Sequence, residues 1–298
     1  MSGLPWDLPH RPLIAAAVTP LRDGGEALDE SAFWPMARFL TEHGADGVFA
    51  CGTTGEGILL SLEERMRAAV MLRAALTDGL LVVHAGAQST RHTCLLASHA
   101  AEIGADGVAV IPPPYFALDA GALAAHLVAA AGACEPLPFF IYAFAARSGY
   151  PVPVEVVRRV RDAAPNLAGL KVSESPFERV EPYLELGLPV LIGSEPLIPA
   201  AMARGAAGSV SGMAAALPDV VRAALDAPDT EAETRLQAVR SAMEASGSFI
   251  GAAKHVLALR GVPVRPDMRA PLPPLSPAAA VGLDAMLAGL GLLEGADA

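Results

Sequence analysis

The chain has 298 residues, 53% of them hydrophobic, and a formal net charge of −11 from 21 lysines and arginines against 32 aspartates and glutamates. That length allows one large α/β domain or two small ones, with ample material for a core. The acidic balance is the opposite of the basic stripe a nucleic-acid surface needs. Polar or charged residues also interrupt every apolar stretch short of the ~20 residues a membrane-spanning helix requires.

The start, Met1-Ser-Gly-Leu-Pro-Trp6, lacks the basic and apolar regions of a secretory leader. Three cysteines, Cys51, Cys94 and Cys134, are an odd number at wide spacing and predict neither a disulfide framework nor a metal-binding pair. A reduced cytoplasm is the expected compartment.

Short apolar runs occupy 13–21, 47–52, 80–86, 107–112, 138–144, 167–173, 189–194 and 208–212. Helix-length segments lie between them, among them 29–43, 61–77 and 89–103. Ser61-Leu-Glu-Glu64 carries the signature of a capping box, serine at the N-cap with glutamate three residues on. The alternation predicts parallel strands joined by helices. Eight such units predict a closed (β/α)8 TIM barrel, which typically fills ~250 residues. Gly44-Ala-Asp-Gly-Val48 and Gly104-Ala-Asp-Gly-Val108 echo one another, with Gly205-Ala-Ala-Gly-Ser-Val210 a weaker third copy. In each, glycine stops a helix and a tight turn starts a strand.

Beyond the eighth run, 228–246 and 249–260 read as helices, followed by a proline-rich connector over 263–277 and a last helix. The expected organisation is a barrel over 1–226 and a C-terminal helical extension over 227–298 packed on it.

Active sites of such barrels form at the C-terminal ends of the strands, so the residues there are the candidates. The second run leads into Gly52-Thr53-Thr54-Gly55-Glu56. Its consecutive N–H groups and two hydroxyls suit a carboxylate or phosphate, though a glycine turn with threonine caps reads equally well. The fourth run ends in Pro112-Pro-Pro-Tyr115-Phe116, which projects Tyr115 from the rim, for packing, an interface or chemistry. The fifth leads to Tyr142 and Arg147: a phenol that can exchange a proton and a planar fork for a carboxylate, or a core tyrosine beside a surface arginine.

The sixth run ends at Lys171. Only two lysines, Lys171 and Lys254, stand among the 21 lysines and arginines. Lys254 falls in a helical pattern with room for an exposed face. An ammonium at the end of a buried strand loses hydration, which lowers its pKa toward the neutral amine, and a neutral amine can attack a ketone to form a Schiff base. The alternatives for Lys171 are an ion pair with a carboxylate such as Glu174, or a side chain reaching solvent. The seven histidines show no ligand spacing with a nearby acid, so no metal and no cofactor is expected.

Taken together, Gly52-Thr-Thr-Gly-Glu56, Pro113-Pro-Tyr115-Phe116, Tyr142 with Arg147-Ser-Gly149, and Gly169-Leu-Lys171 resemble the dihydrodipicolinate synthase / N-acetylneuraminate lyase family of pyruvate-dependent class I aldolases. The similarity runs from about residue 13 to 274. The resemblance implies that Lys171 condenses with pyruvate or a similar 2-oxo acid, and that Tyr142 shuttles the proton. Thr53 would link Tyr142 to a Tyr115 contributed by a neighbouring subunit, in a homotetramer built as a dimer of dimers. Thr54 together with Thr53 would hold the pyruvate carboxylate, Arg147 would meet a second carboxylate or polar tail, and Val210 would present its carbonyl near the lysine.

The chain departs from the family's pattern at Ala143, Ala145, Pro114 and Glu195, changes expected to alter the walls around the second substrate. The expected function is a carbon–carbon lyase or aldolase acting on a 2-oxo acid. Its alternatives are 4-hydroxy-tetrahydrodipicolinate synthase or a sugar-acid dehydratase using the same imine. From other classes come a non-catalytic paralogue that binds an oxo acid, and a phosphosugar enzyme using Gly193, Gly208 and Gly212.

Overall fold

The computed structural model describes residues 4–292. The ends of the two expected segments, residues 1–3 with the Met1 start and residues 293–298, lie outside the described residues. Eight strands close into a barrel: β1 (Leu13–Ala16), β2 (Gly47–Ala50), β3 (Leu80–His84), β4 (Gly107–Val110), β5 (Phe139–Ala143), β6 (Leu167–Val172), β7 (Val190–Ile192) and β8 (Gly208–Ser211). Each pairs in parallel with its neighbours in chain order, and β1 closes the ring by pairing with β8 through Ile14 and Val210.

Side chains alternate across each strand, which divides the core in two. On β5, Phe140 and Tyr142 point inward to join Ile14, Phe49, Val82, Leu191 and Val210. Phe139, Ile141 and Ala143 point outward to the helices. The barrel's N-terminal end is plugged by Trp6, whose ring lies 5.3 Å from that of Phe140 and whose Nε1–H donates to the Asp106 carbonyl at 3.0 Å.

The capping box at Ser61 forms as the sequence predicts. Ser61 Oγ accepts from the Glu64 N–H at 3.2 Å, and Glu64 accepts from the Ser61 N–H at 2.8 Å, at the start of helix Leu62–Ala75. The run at 13–21 is not one strand. It leaves the barrel after Ala16, where Thr19 turns to donate its hydroxyl to the Gly55 carbonyl at 2.6 Å. Leu21–Arg22 then pairs with Ala27–Leu28 in a separate antiparallel hairpin. Pro20, which has no N–H to give a ladder, stands at the break.

After β8, helix Pro218–Asp226 precedes Thr230–Ala245, Phe249–Leu259 and Pro277–Gly289. Among the described residues no helix is long and apolar enough to cross a membrane. The expectation of an exposed Lys254 is corrected. Its side chain is fully buried, with Nζ donating to Glu56 Oε1 at 2.6 Å and to the Asp267 carbonyl at 2.5 Å. The short residues Gly251, Ala252 and Ala253 bring helix Phe249–Leu259 close enough to the barrel for the lysine to turn inward.

Candidate active site

Lys171 and Tyr142 are register partners across β5 and β6, so both side chains enter the barrel mouth side by side. Lys171 is 4% exposed, and its Nζ sits 4.0 Å from the ring centroids of Phe49 and of Tyr142. Those ring faces favour the ammonium by roughly 0.5–2 kcal/mol each, while removal from water disfavours it more. Burial pulls the lysine pKa down to about 7, with the Glu195 carboxylate opposing. Gly193, just past β7, makes room for this arrangement. A methyl there would lie 2.0 Å from Ser173 Oγ and 3.4 Å from Lys171 Cε.

The ion-pair alternative for Lys171 fails. Glu174 is buried and turned away, accepting the Ala145 N–H at 2.7 Å. It therefore anchors the start of the short helix Ala145–Ser148, which carries Arg147. Arg147 itself is exposed at the cavity mouth, its guanidinium 5.8 Å over the Phe144 ring.

Tyr142 Oη lies 3.4 Å from Thr53 Oγ1, within hydrogen-bond reach. Burial pushes the phenol's pKa up, against the pull of the Thr53 and Ser173 hydroxyls. Phe49 and His84 meet the tyrosine ring edge-on at 6.0 and 5.9 Å and hold its plane. His84 Nδ1 lies 3.1 Å from the Cys51 carbonyl, an acceptor, so that nitrogen carries the proton. Burial, with Arg65 and Lys171 adding to it, pushes the imidazole pKa well below its ordinary range, so the ring adds no cation beside the lysine.

The Thr53–Thr54 turn is held in an unusual backbone path, with Cys51 and Glu56 both left-handed at φ 55 and 56. Gly57 is required because a Cβ would fall 1.8 Å from the Cys51 carbonyl oxygen. The Thr53 and Thr54 N–H groups find no backbone acceptor among the described residues, and both threonines line the cavity. Val210, on β8 and 2% exposed, lines it too. The cavity measures about 220 Å³.

Tyr115 does not join this group. It is 87% exposed, at φ 83, with its ring edge-on to Phe116 at 4.9 Å and outside the cavity lining. Of the four departures from the family pattern, Glu195 lines the cavity, while Ala143, Ala145 and Pro114 do not, which corrects the expectation for those three. Ala143 faces the outer helices, as strand alternation dictates, and its neighbour Phe144 occupies the wall.

Arg240 and Glu244 at the mouth escaped the sequence reading, while Glu195, expected only as a change in the substrate walls, also lies here. Glu195 is fully buried; its Oε1 accepts from Ser211 Oγ at 2.8 Å and from the Met213 N–H at 3.0 Å, and its Oε2 accepts from Arg240 at 2.6 Å. Arg240 and Glu244, bonded to each other at 2.8 Å, reach over from helix Thr230–Ala245. Glu195 had a signal, its place in Gly193-Ser-Glu195 at the end of a strand. Arg240 had none, being one arginine in an ordinary polar helix.

Comparison with known proteins bears on this geometry. The sequence model described as the dihydrodipicolinate synthetase family matches residues 10–288. An uncharacterized DapA-like lyase of Halobacterium salinarum is 34% identical over 285 residues, 91% of each chain. The N-acetylneuraminate lyase of Rattus norvegicus is 32% identical over 206 residues, 66% of this chain and 64% of its own. Among solved structures, an E. coli K12 prophage protein of the dihydrodipicolinic acid synthase family, crystallised with pyruvate, superposes with a TM-score of 0.89 at 23% identity, covering 96% of this chain and 100% of its own.

Proposed function

The chain belongs to the dihydrodipicolinate synthetase family, and from that premise we propose that it is a class I aldolase or lyase that makes or breaks a carbon–carbon bond of a 2-oxo acid through an imine on Lys171. One observation carries the reading: a buried amine with its pKa near 7, adjacent in register to a buried phenol, at the mouth of the barrel.

The neutral Lys171 amine attacks the ketone carbon of pyruvate, and the ketone oxygen takes one proton from the amine and one from Tyr142 and departs as water, leaving a protonated imine. That cation draws electrons from the adjacent methyl, which loses a proton to the Tyr142 phenolate to give an enamine. The enamine carbon bonds to an aldehyde carbon, and the aldehyde oxygen takes a proton from Tyr142. Water then hydrolyses the imine, releasing the hydroxy-oxo acid and restoring the amine. Cleavage runs the same steps backward, with Tyr142 accepting the proton of the hydroxyl. The Thr53 and Thr54 N–H groups and hydroxyls receive the pyruvate carboxylate, and Val210 walls the imine.

Borohydride in the presence of pyruvate tests this. The intact mass should gain one reduced pyruvyl group, mapping to Lys171 and not to Lys254, and an unmodified protein counts against the imine. Arg147 supports a second reading, 4-hydroxy-tetrahydrodipicolinate synthase, because its guanidinium has no ion-pair partner among the described residues and could meet a second carboxylate. Product analysis with aspartate semialdehyde against sugar-derived 2-oxo acids separates the two.

The assembly follows from the same reading. Tyr115 and Phe116, 87% and 72% exposed, present an aromatic pair suited to a neighbouring subunit, where Tyr115 would meet Thr53. A homotetramer, a dimer of dimers, provides such contacts. A division at 226/227 into barrel and extension, and a reducing cytoplasm consistent with three free cysteines, complete the proposal.

A further inference from the structure

Beyond the amine, the cavity wall has an apolar part set beside the polar Arg147, Ser173, Arg240 and Glu244. Phe144 comes from the end of β5, and Phe249 and Ile250 from the first turn of helix Phe249–Leu259. Each phenylalanine carries an arginine on its face, Arg147 over Phe144 at 5.8 Å and Arg240 over Phe249 at 5.4 Å. Phe144 lies 6.0 Å from Tyr142, tilted by 33°, so its ring extends the tyrosine's face outward from the reacting amine. Phe249 sits against Gly212, beside Thr54, where a Cβ on the glycine would meet the ring at 3.2 Å and Thr54 Oγ1 at 3.1 Å.

Several polar groups of this region are engaged with one another, while Arg147 at the mouth has no ion-pair partner among the described residues. Glu195 spends both oxygens on Ser211, Met213 and Arg240. One oxygen of Glu244 accepts from Arg240, and Ser173 and Thr53 are turned toward the Tyr142 hydroxyl. A sugar-like chain entering here would exchange several water hydrogen bonds for contact with phenyl and isoleucine side chains. Each polar group buried without a partner loses its hydration with nothing in return. An apolar body gains there instead from the surface it removes from water. The space beside the amine, about 220 Å³, adjoins one of about 370 Å³ with which it shares Phe144, Ser173, Gly193, Arg240 and Glu244.

We propose that the carbonyl partner in this site is an aldehyde with an apolar body, aromatic or branched aliphatic, and not a polyhydroxylated chain. The inference rests on the imine reading of Lys171 and adds to it the class of the second substrate. In the synthetic direction the enamine carbon forms its bond to the aldehyde carbon between the two phenylalanine walls, and the aldehyde oxygen takes the Tyr142 proton. Any polar end of the partner lies toward Arg147 at the mouth.

The test has two arms on the full-length protein. The first is borohydride trapping with pyruvate alone. The second measures kcat/KM at fixed pyruvate for benzaldehyde and isobutyraldehyde against D-glyceraldehyde and D-erythrose. Trapping on Lys171 with at least a tenfold preference for the apolar pair is expected, and Phe249→Ser should narrow that preference severalfold while the pyruvate trap persists. Intact trapping with the polyhydroxylated aldehydes preferred, or with none of the four turned over, overturns the apolar partner and leaves the imine standing. Failure of the pyruvate trap itself overturns the imine, and this inference with it.

Discussion

Lys254 and Glu56 form an ion pair with both side chains fully buried, Nζ to Oε1 at 2.6 Å, joining helix Phe249–Leu259 to the turn that carries Thr53 and Thr54. The second carboxylate oxygen of Glu56 accepts the Arg269 N–H at 2.7 Å, so the connector is tied to the same point. Glu56 is left-handed, a conformation that costs a non-glycine residue about 1–3 kcal/mol and persists because these bonds hold it. The substrate turn therefore has its far end fixed by the C-terminal helices.

Removing one partner of such a pair leaves the other charged and buried, at a cost of about 3–5 kcal/mol. Lys254→Met should lower unfolding stability by that order in urea titration. Adding Glu56→Gln should recover part of the loss, since no buried charge then stands alone. If the pair also sets the turn, the pyruvate concentration for half-maximal trapping of Lys171 should rise in the single variant while the trapped residue stays the same.

The reactivity of Lys171 should follow its protonation. With its pKa brought down to about 7 by burial, the amine is largely neutral above pH 7 and protonated below it. The initial rate of borohydride-trapped imine formation should fall about tenfold per pH unit below the midpoint and level off above it. Glu195 holds the pKa up against burial, so Glu195→Gln should move the midpoint to lower pH. Stability carries the same linkage. Between pH 7 and the ordinary lysine value of 10.5 the unfolded chain binds more protons than the folded one, so stability rises with pH through that window. Lys171→Met should accordingly be the more stable protein, by most at pH 7 and below, with the advantage shrinking toward pH 10. A melt of both proteins across that range checks the sign.

Tyr142→Phe keeps the ring between Phe49, His84 and Phe144 and removes only the hydroxyl. Proton transfer by a positioned side chain contributes typically ~10²–10⁴-fold. Turnover should drop by that order with the melting temperature within a few degrees of the parent. An unchanged kcat assigns the proton to another group, with Thr53, 3.4 Å away, next in line.

The barrel was legible because its cause is local: eight apolar runs, glycine stops before strands and a capping box at Ser61 all report nearby backbone needs. Lys171 and Tyr142 were legible for the same reason, since the end of a strand has a known place in a barrel. What stayed hidden depends on the return of the chain. Lys254 looks like an exposed helical lysine until helix Phe249–Leu259 is laid against Glu56, 198 positions earlier. Arg240 becomes part of the mouth only because Glu195 is waiting for it. Ala143 misled in the opposite way. It sits next to Tyr142 in sequence, and strand alternation sends it to the other face, leaving the wall to Phe144.

Gly193 offers the sharpest geometric test. It lies just past β7, and its backbone is not in the left-handed region, so alanine brings no φ strain. The added methyl, however, would sit 2.0 Å from Ser173 Oγ and 3.1 Å from Ser173 Cβ, with Lys171 Cε at 3.4 Å. The lysine contact is ordinary packing, while the hydroxyl overlap forces Ser173 to rotate or β6 to shift. Either response displaces a group that acts on the Tyr142 hydroxyl, and displacements near 1 Å at a reacting centre cost about 10²-fold in rate. Gly193→Ala should therefore lose about two orders of magnitude in turnover. In the double variant Gly193→Ala/Ser173→Ala the severe overlap is gone, leaving the 3.1 Å contact with Cβ and the ordinary one with Lys171 Cε. That variant should melt higher than Gly193→Ala alone and regain pyruvate trapping on Lys171. Equal trapping by the parent and Gly193→Ala would mean that the space beside Ser173 is not what positions the amine.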